Sequence, residues 1–166
     1  LSELCLIVGA NPDTAPALRT LATATSAEQS AATQQLVLTA LGEGLSRRGS
    51  SISRLLADET TSQAVRAQVK VLFDRAVQFA ADDSRAVARR AEAIGLLAFA
   101  DYETAGEHLS KFLSPRAPQV LQRAAVAGLA RQDADRVGKL MLAPWRTFSP
   151  QIRRDVVDAL MSSPGR

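Results

Sequence analysis

Apolar side chains recur along this chain at helical spacing. Val65, Val69, Leu72, Phe73, Ala76, Phe79 and Ala80 fall at i, i+4, i+7, i+8, i+11, i+14 and i+15, one face of a helix. Ile152, Val156, Ala159 and Leu160 repeat the start of that pattern, and Leu38, Leu41 and Leu45 form a narrower stripe. No stretch competes with the two-residue period of a strand. The pattern predicts an all-α fold with helices near 2–9, 13–24, 28–47, 51–57, 62–81, 84–99, 102–112, 117–131, 134–142 and 150–162.

Polar residues between the stripes read as helix starts and stops. Asn11-Pro12 and Ser149-Pro150 each set a cap-forming residue before a proline, whose missing N–H costs nothing in a first turn. Ser26 with Gln29, and Thr60 with Gln63, have the spacing of a capping box. Asp101 and Asp133 are placed to accept from the N–H groups of a following turn, and Gly49, after Arg47-Arg48, reads as a stop.

The chain also repeats itself. Val87-x-x-Arg90-Ala91-x-x-x-Gly95-Leu96 matches Val120-x-x-Arg123-Ala124-x-x-x-Gly128-Leu129 at an offset of 33, and each copy precedes an Asp-started helix. A weaker third copy places Arg154, Val157 and Leu160 where Arg123, Val126 and Leu129 stood, at an offset of 31. Helix-pair units of this length bury their apolar faces by stacking on neighbours. The expectation is therefore a HEAT-like α-α solenoid of antiparallel helix pairs, a single domain over 1–166; because the first half repeats poorly, an irregular helical bundle is the alternative.

A helix ending in Gly-Leu or Leu-Leu, a short Asp turn, a second helix and then a proline resembles HEAT-like repeats. The succession from Leu6-Ile7-Val8-Gly9 through Gln119-Val120-Leu121-Gln122-Arg123-Ala124 to Leu142-Ala143-Pro144-Trp145 resembles the helical region of planctomycete-type membrane-bound dehydrogenase-like proteins. That resemblance implies a sugar-dehydrogenase-type propeller upstream, a c-type haem domain downstream and an extracytoplasmic location. The sequence holds no Cys-x-x-Cys-His, so neither a haem site nor a catalytic residue carries over.

Composition agrees with a helical, packed domain. Apolar residues make up 46% of the chain but aromatics only 4%, so the core is built from Ala, Leu and Val, as close helix packing favours. The opening Leu1-Ser2-Glu3, without an initiator Met, reads as an internal fragment of a larger protein, and no run approaches the ~20 apolar residues of a membrane span. The formal net charge of +3 is uneven: residues 1–83 hold 7 basic and 9 acidic side chains (net −2), residues 84–166 hold 13 and 8 (net +5). This bias suits an acidic partner but is thinner than the basic stripe of a nucleic-acid binder.

Catalytic chemistry finds little to stand on. His108 is the sole histidine and Cys5 the sole cysteine, which leaves no His pair or His-Cys cluster for a metal and no disulfide. A triad would need His108 as its base, and no partner is signalled by spacing; Cys5, in an apolar run, reads as a small buried hydrophobe. Gly42 and Gly44 lack the lysine of a phosphate loop and are expected to allow close helix contact. Asp133 and Asp135, or Asp155 and Asp158, read as caps and a solvated face, and Tyr102 as packing.

Four residues remain as a candidate partner-binding surface. Arg90, Arg123 and Arg154 stand at equivalent places in the sequence repeat, flanked by the pairs Arg47-Arg48, Arg89-Arg90 and Arg153-Arg154, and Trp145 offers a stacking surface. They would form either structural bonds at the joints between repeats or a basic ladder for an acidic partner or phosphates. The expected function is a non-catalytic scaffold, spacer or protein-interaction domain with no cofactor and no metal, bound to a protein partner or to flanking domains. In the last case it would dock the dehydrogenase and haem parts of an oxidoreductase. The alternative is a nucleic-acid-binding HEAT-like domain or a DNA-glycosylase-like enzyme, which would need a basic concave groove holding an aromatic and a carboxylate.

Overall fold

The computed structural model describes residues 1–26, 28–132 and 136–162, and its described secondary structure is helical. Ten α-helices follow one another: α1 Ser2–Ala10, α2 Thr14–Ala24, α3 Ala31–Arg47, α4 Ile52–Ala57, α5 Gln63–Ala81, α6 Val87–Leu97, α7 Tyr102–Lys111, α8 Gln119–Ala130, α9 Arg136–Leu142 and α10 Pro150–Met161. A short 3-10 turn, Trp145–Thr147, precedes α10. Every helix expected from the apolar pattern is present. None of them is long and apolar enough to cross a membrane.

The chain divides into two compact units, Leu1–Asp74 and Arg75–Arg166, with the division inside α5. In the first unit α1 packs along α3, and α2 packs on both. Glycines set how near α1 and α3 come. A Cβ on Gly9 would lie 2.5 Å from the Leu41 carbonyl oxygen and 3.0 Å from the Gly44 Cα, and a Cβ on Gly44 would collide with the Leu6 carbonyl. Backbone meets backbone there, as expected for Gly44, and Gly9 is its counterpart. Leu21, Leu38, Leu41 and Leu45 are fully enclosed around this crossing.

In the second unit α8 is central, packed on α6, α7, α9 and α10. Its core contains Ile94, Leu97, Leu109, Leu121, Leu129, Met141 and Ile152, each 0% exposed. Burial of each such side chain contributes about 1.5–3 kcal/mol. Tyr102 is packing, as read: its ring lies against Gly106, where a Cβ would be 2.5 Å from a ring carbon.

The caps differ in detail from their sequence reading. Ser149 caps α10 through Ile152 N–H with Pro150 at the first position, and Asp101 caps α7 through Thr104 N–H, both as expected. Asn11 instead accepts from Asp13 N–H, and Asp13 caps α2. Ser30 rather than Ser26 caps α3, and Ser62, directly before α5, accepts from Val65 N–H while Thr60 bonds Asp58. Asp133 and Asp135 lie outside the described residues. Gly49 ends α3 in the left-handed region (φ 71°), with Ser50 N–H on the Leu45 carbonyl and Gly49 N–H on that of Ser46. This is the Schellman arrangement that glycine favours.

One device recurs at the joints. The fourth residue past the N-cap position sends its side chain back to a carbonyl of the preceding turn, or in one case of the preceding helix's last turn: Gln34 to Ser26 (3.2 Å), Arg66 to Asp58 (2.8 Å), Arg90 to Ala80 (2.8 Å), Gln122 to Ser114 (2.9 Å) and Arg153 to Trp145 (3.2 Å). Four of these span eight residues and the Arg90 bond spans ten. The Ala80 carbonyl lies in the last turn of α5, where carbonyls lack intrahelical partners, whereas Ser26, Asp58, Ser114 and Trp145 each also accept a backbone N–H three residues on, so there the side chain adds a second bond that ties the turn to the helix that follows. The joints tethered in this way are α2–α3, α4–α5, α5–α6, α7–α8 and α9–α10.

This register corrects the sequence repeat by one residue. Ala86 and Pro118, the N-cap positions of α6 and α8, are 32 apart, and Pro118 and Ser149 are 31 apart. Arg90 therefore corresponds to Gln122 and Arg153, not to Arg123 and Arg154. Burial agrees: Arg90, Ala93, Ile94 and Leu97 are buried in α6 as Gln122, Ala125, Val126 and Leu129 are in α8. The 33-residue match pairs identical letters, whereas the fold pairs like environments.

Candidate docking surface

The four surface candidates have separate fates. Arg90 is only 7% exposed: Nε donates to the Ala80 carbonyl and Nη1 pairs with Asp83 at 2.6 Å. A guanidinium enclosed in this way offers nothing to a partner, and its role is the joint between α5 and α6. Arg123, with a side chain 57% exposed, pairs through Nε with Asp155 of α10 at 2.8 Å. So exposed a pair contributes at most about 1 kcal/mol. Asp155 also accepts from Gln151, which makes it a structural acceptor rather than half of an acid/base pair.

Trp145 and Arg154 do come together, in a cleft of about 290 Å³ between the 3-10 turn and α10, lined by Trp145, Arg153, Arg154, Val157 and Asp158. The local sequence explains its shape. The Pro144 carbonyl accepts from Thr147 N–H and its hydroxyl, which tightens the turn, and Phe148, 3% exposed, anchors its far end in the core. Ser149 then starts α10, and the helical period stacks Arg153 over Val157 and Arg154 over Asp158 along one face.

Arg153 is the residue that repeat counting missed. Its Nε donates to the Trp145 carbonyl and its Nη2 to that of Arg146, while its guanidinium carbon lies 5.7 Å from the centre of the Trp145 ring. This cation–π contact and the two bonds fix the indole against the helix. Arg154 is exposed and spends Nη2 on Gln151 Oε1 at 2.9 Å, within its own helix. The signal for Arg153 lay in its distance from the Ser149 cap; for Val157 and Asp158 it lay in the i+4 spacing from the arginine pair.

His108 is half-buried on α7, and Cys5 is 3% exposed, where burial pushes its thiol up and away from thiolate reactivity. Two linker carboxylates are shifted the other way. The Ser84 hydroxyl, the Arg85 guanidinium and the Ser84 N–H hold Asp82 down at about 2, and the Thr60 hydroxyl and N–H lower Asp58. Both are half-buried turn-formers whose hydroxyl and N–H partners mark them as structural acceptors rather than an acid/base pair.

No family model matches the chain, and no curated protein and no solved structure does so either.

Proposed function

We propose that this chain is a HEAT-like α-α solenoid acting as a non-catalytic scaffold or spacer within a longer protein, with the Trp145 cleft as its docking point. The observation that carries this reading is the recurrent tether at the joints. A side chain that ties a connecting turn to the start of the helix it leads into fixes how the chain enters that helix, and repetition of that device suits a stack whose product is a rigid surface. Two of the three arginines taken for a basic ladder are engaged within the fold, Arg90 with a carbonyl at a joint and Arg123 with the Asp155 carboxylate of α10, which favours structure over phosphate binding. A place between a propeller and a haem domain rests on the family resemblance alone, and the full-length parent sequence decides it.

Anisotropy of a labelled DNA duplex tests the reading against nucleic-acid binding. We expect no saturable binding between about 50 and 200 mM salt. An affinity that falls steeply over that range would overturn the docking module in favour of a nucleic-acid binder.

A further inference from the structure

The chemistry of the cleft specifies its occupant more closely than docking in general. Its apolar lining is the Trp145 indole and Val157, the latter 45% exposed. Arg153 and Arg154 also line it, against one carboxylate, Asp158, and Arg146 follows Trp145 in the chain. Arg153 spends Nε and Nη2 on carbonyls and lies against the indole, whereas Arg154, exposed and holding a neutral amide through Nη2 among the described residues, is the guanidinium better placed to receive a new anion. A space of about 290 Å³ sits at the lower edge of small-molecule pockets and fits one aromatic or branched side chain.

We propose that the cleft docks a short acidic peptide segment of a partner protein, with one large apolar side chain against Trp145 and Val157 and a neighbouring Asp or Glu carboxylate on Arg154. This rests on the docking reading above and names its partner. An aromatic face beside an arginine is the composition of an interface anchor, and a planar guanidinium holds a carboxylate through two parallel bonds. Phosphate backbones fit less well, because Asp158 stands in the cleft and the accessible charge is one arginine rather than a stripe.

Trp145 is the only tryptophan in the chain, so its emission reports on this cleft alone. The full chain is titrated with the capped peptide Asp-Glu-Leu-Phe-Glu-Asp and with a counterpart carrying lysine at each acidic position. The acidic peptide is expected to change Trp145 emission saturably and the lysine peptide is not. Arg154→Ala should weaken binding about fivefold or more, as loss of a charge-assisted bond does. Asp158→Asn should tighten it, Val157→Asp should abolish it, and Arg116→Ala, which removes equal charge outside the cleft, should leave it unchanged. Circular dichroism of each variant confirms that the fold is retained. No saturable change, an equal response to the lysine peptide, or unaltered affinity in Arg154→Ala would overturn the proposal. Those results would leave the docking-module reading standing, which falls instead to salt-steep duplex binding.

Discussion

Arg90 illustrates how one side chain changes meaning between a sequence and a fold. Its letter matches Arg123, but its environment matches Gln122, because the cap of α6 sets the count. Arg90→Ala removes the bond to Ala80 and leaves a carbonyl without its donor, at a cost of about 1–3 kcal/mol. Arg90→Gln should recover part of that loss, since glutamine performs the same task at Gln34 and Gln122. Urea unfolding of the three proteins orders them wild type, Gln, Ala. A sharper case is Gly44, where any Cβ meets the Leu6 backbone. Backbone cannot yield as a side-chain end can, so Gly44→Ala should destabilise by ~1–3 kcal/mol or more in the same assay. A close-contact role for Gly44 was legible from the lack of any phosphate-loop context. Gly9 carried no such mark, because a helix crossing brings together residues that no local period relates.

At the scale of elements, apolar spacing together with cap and stop residues predicted all ten helices. Their starts were harder to place. Asn11 and Asp13, Ser26 and Ser30, Thr60 and Ser62 are neighbouring residues all able to cap, and the choice falls to whichever side chain meets the first free N–H groups once the helix packs. Stops were clearer, since Gly49 at φ 71° uses a backbone region that other residues enter at a cost. Gly49→Ala finds open space for its methyl but pays that conformational cost, and thermal unfolding should register about 1 kcal/mol of lost stability. The turn between α5 and α6 has a pH signature. Asp82 titrates at about 2 when folded, below the ~3.9 of an unfolded aspartate, so its contribution is complete above the higher value and lost as pH falls through the lower. Asp82→Asn should therefore be less stable than wild type near neutrality and converge with it in strong acid. Urea midpoints measured across that range check the convergence, and a constant gap would show that charge is not the cause.

Over the described residues, the tether position relates successive joints in a way that letter identity does not. Cap-to-cap steps of 32 residues, from Ser30 to Ser62 and from Ala86 to Pro118, bracket a shorter step of 24 that contains α5 alone. The first half looked irregular in the sequence because its tethers are Gln34 and Arg66, with little similarity around them. Of the four candidate surface residues, Trp145 and Arg154 lie together, whereas Arg90 serves a joint and Arg123 makes an exposed pair with Asp155 of α10. The measurement that bears most directly on the account compares two triple variants of the second unit by urea unfolding, followed through Trp145 emission. One is Arg90→Ala with Gln122→Ala and Arg153→Ala, which removes three tethers. The other is Arg116→Ala with Arg123→Ala and Arg154→Ala, which removes three exposed charges. The tether variant should lose ~3–6 kcal/mol, about 1–2 for each bond, and the charge variant little more than 1 kcal/mol. Equal losses, or a larger loss from the exposed arginines, would contradict the claim that the joints are held by the fourth residue past each cap.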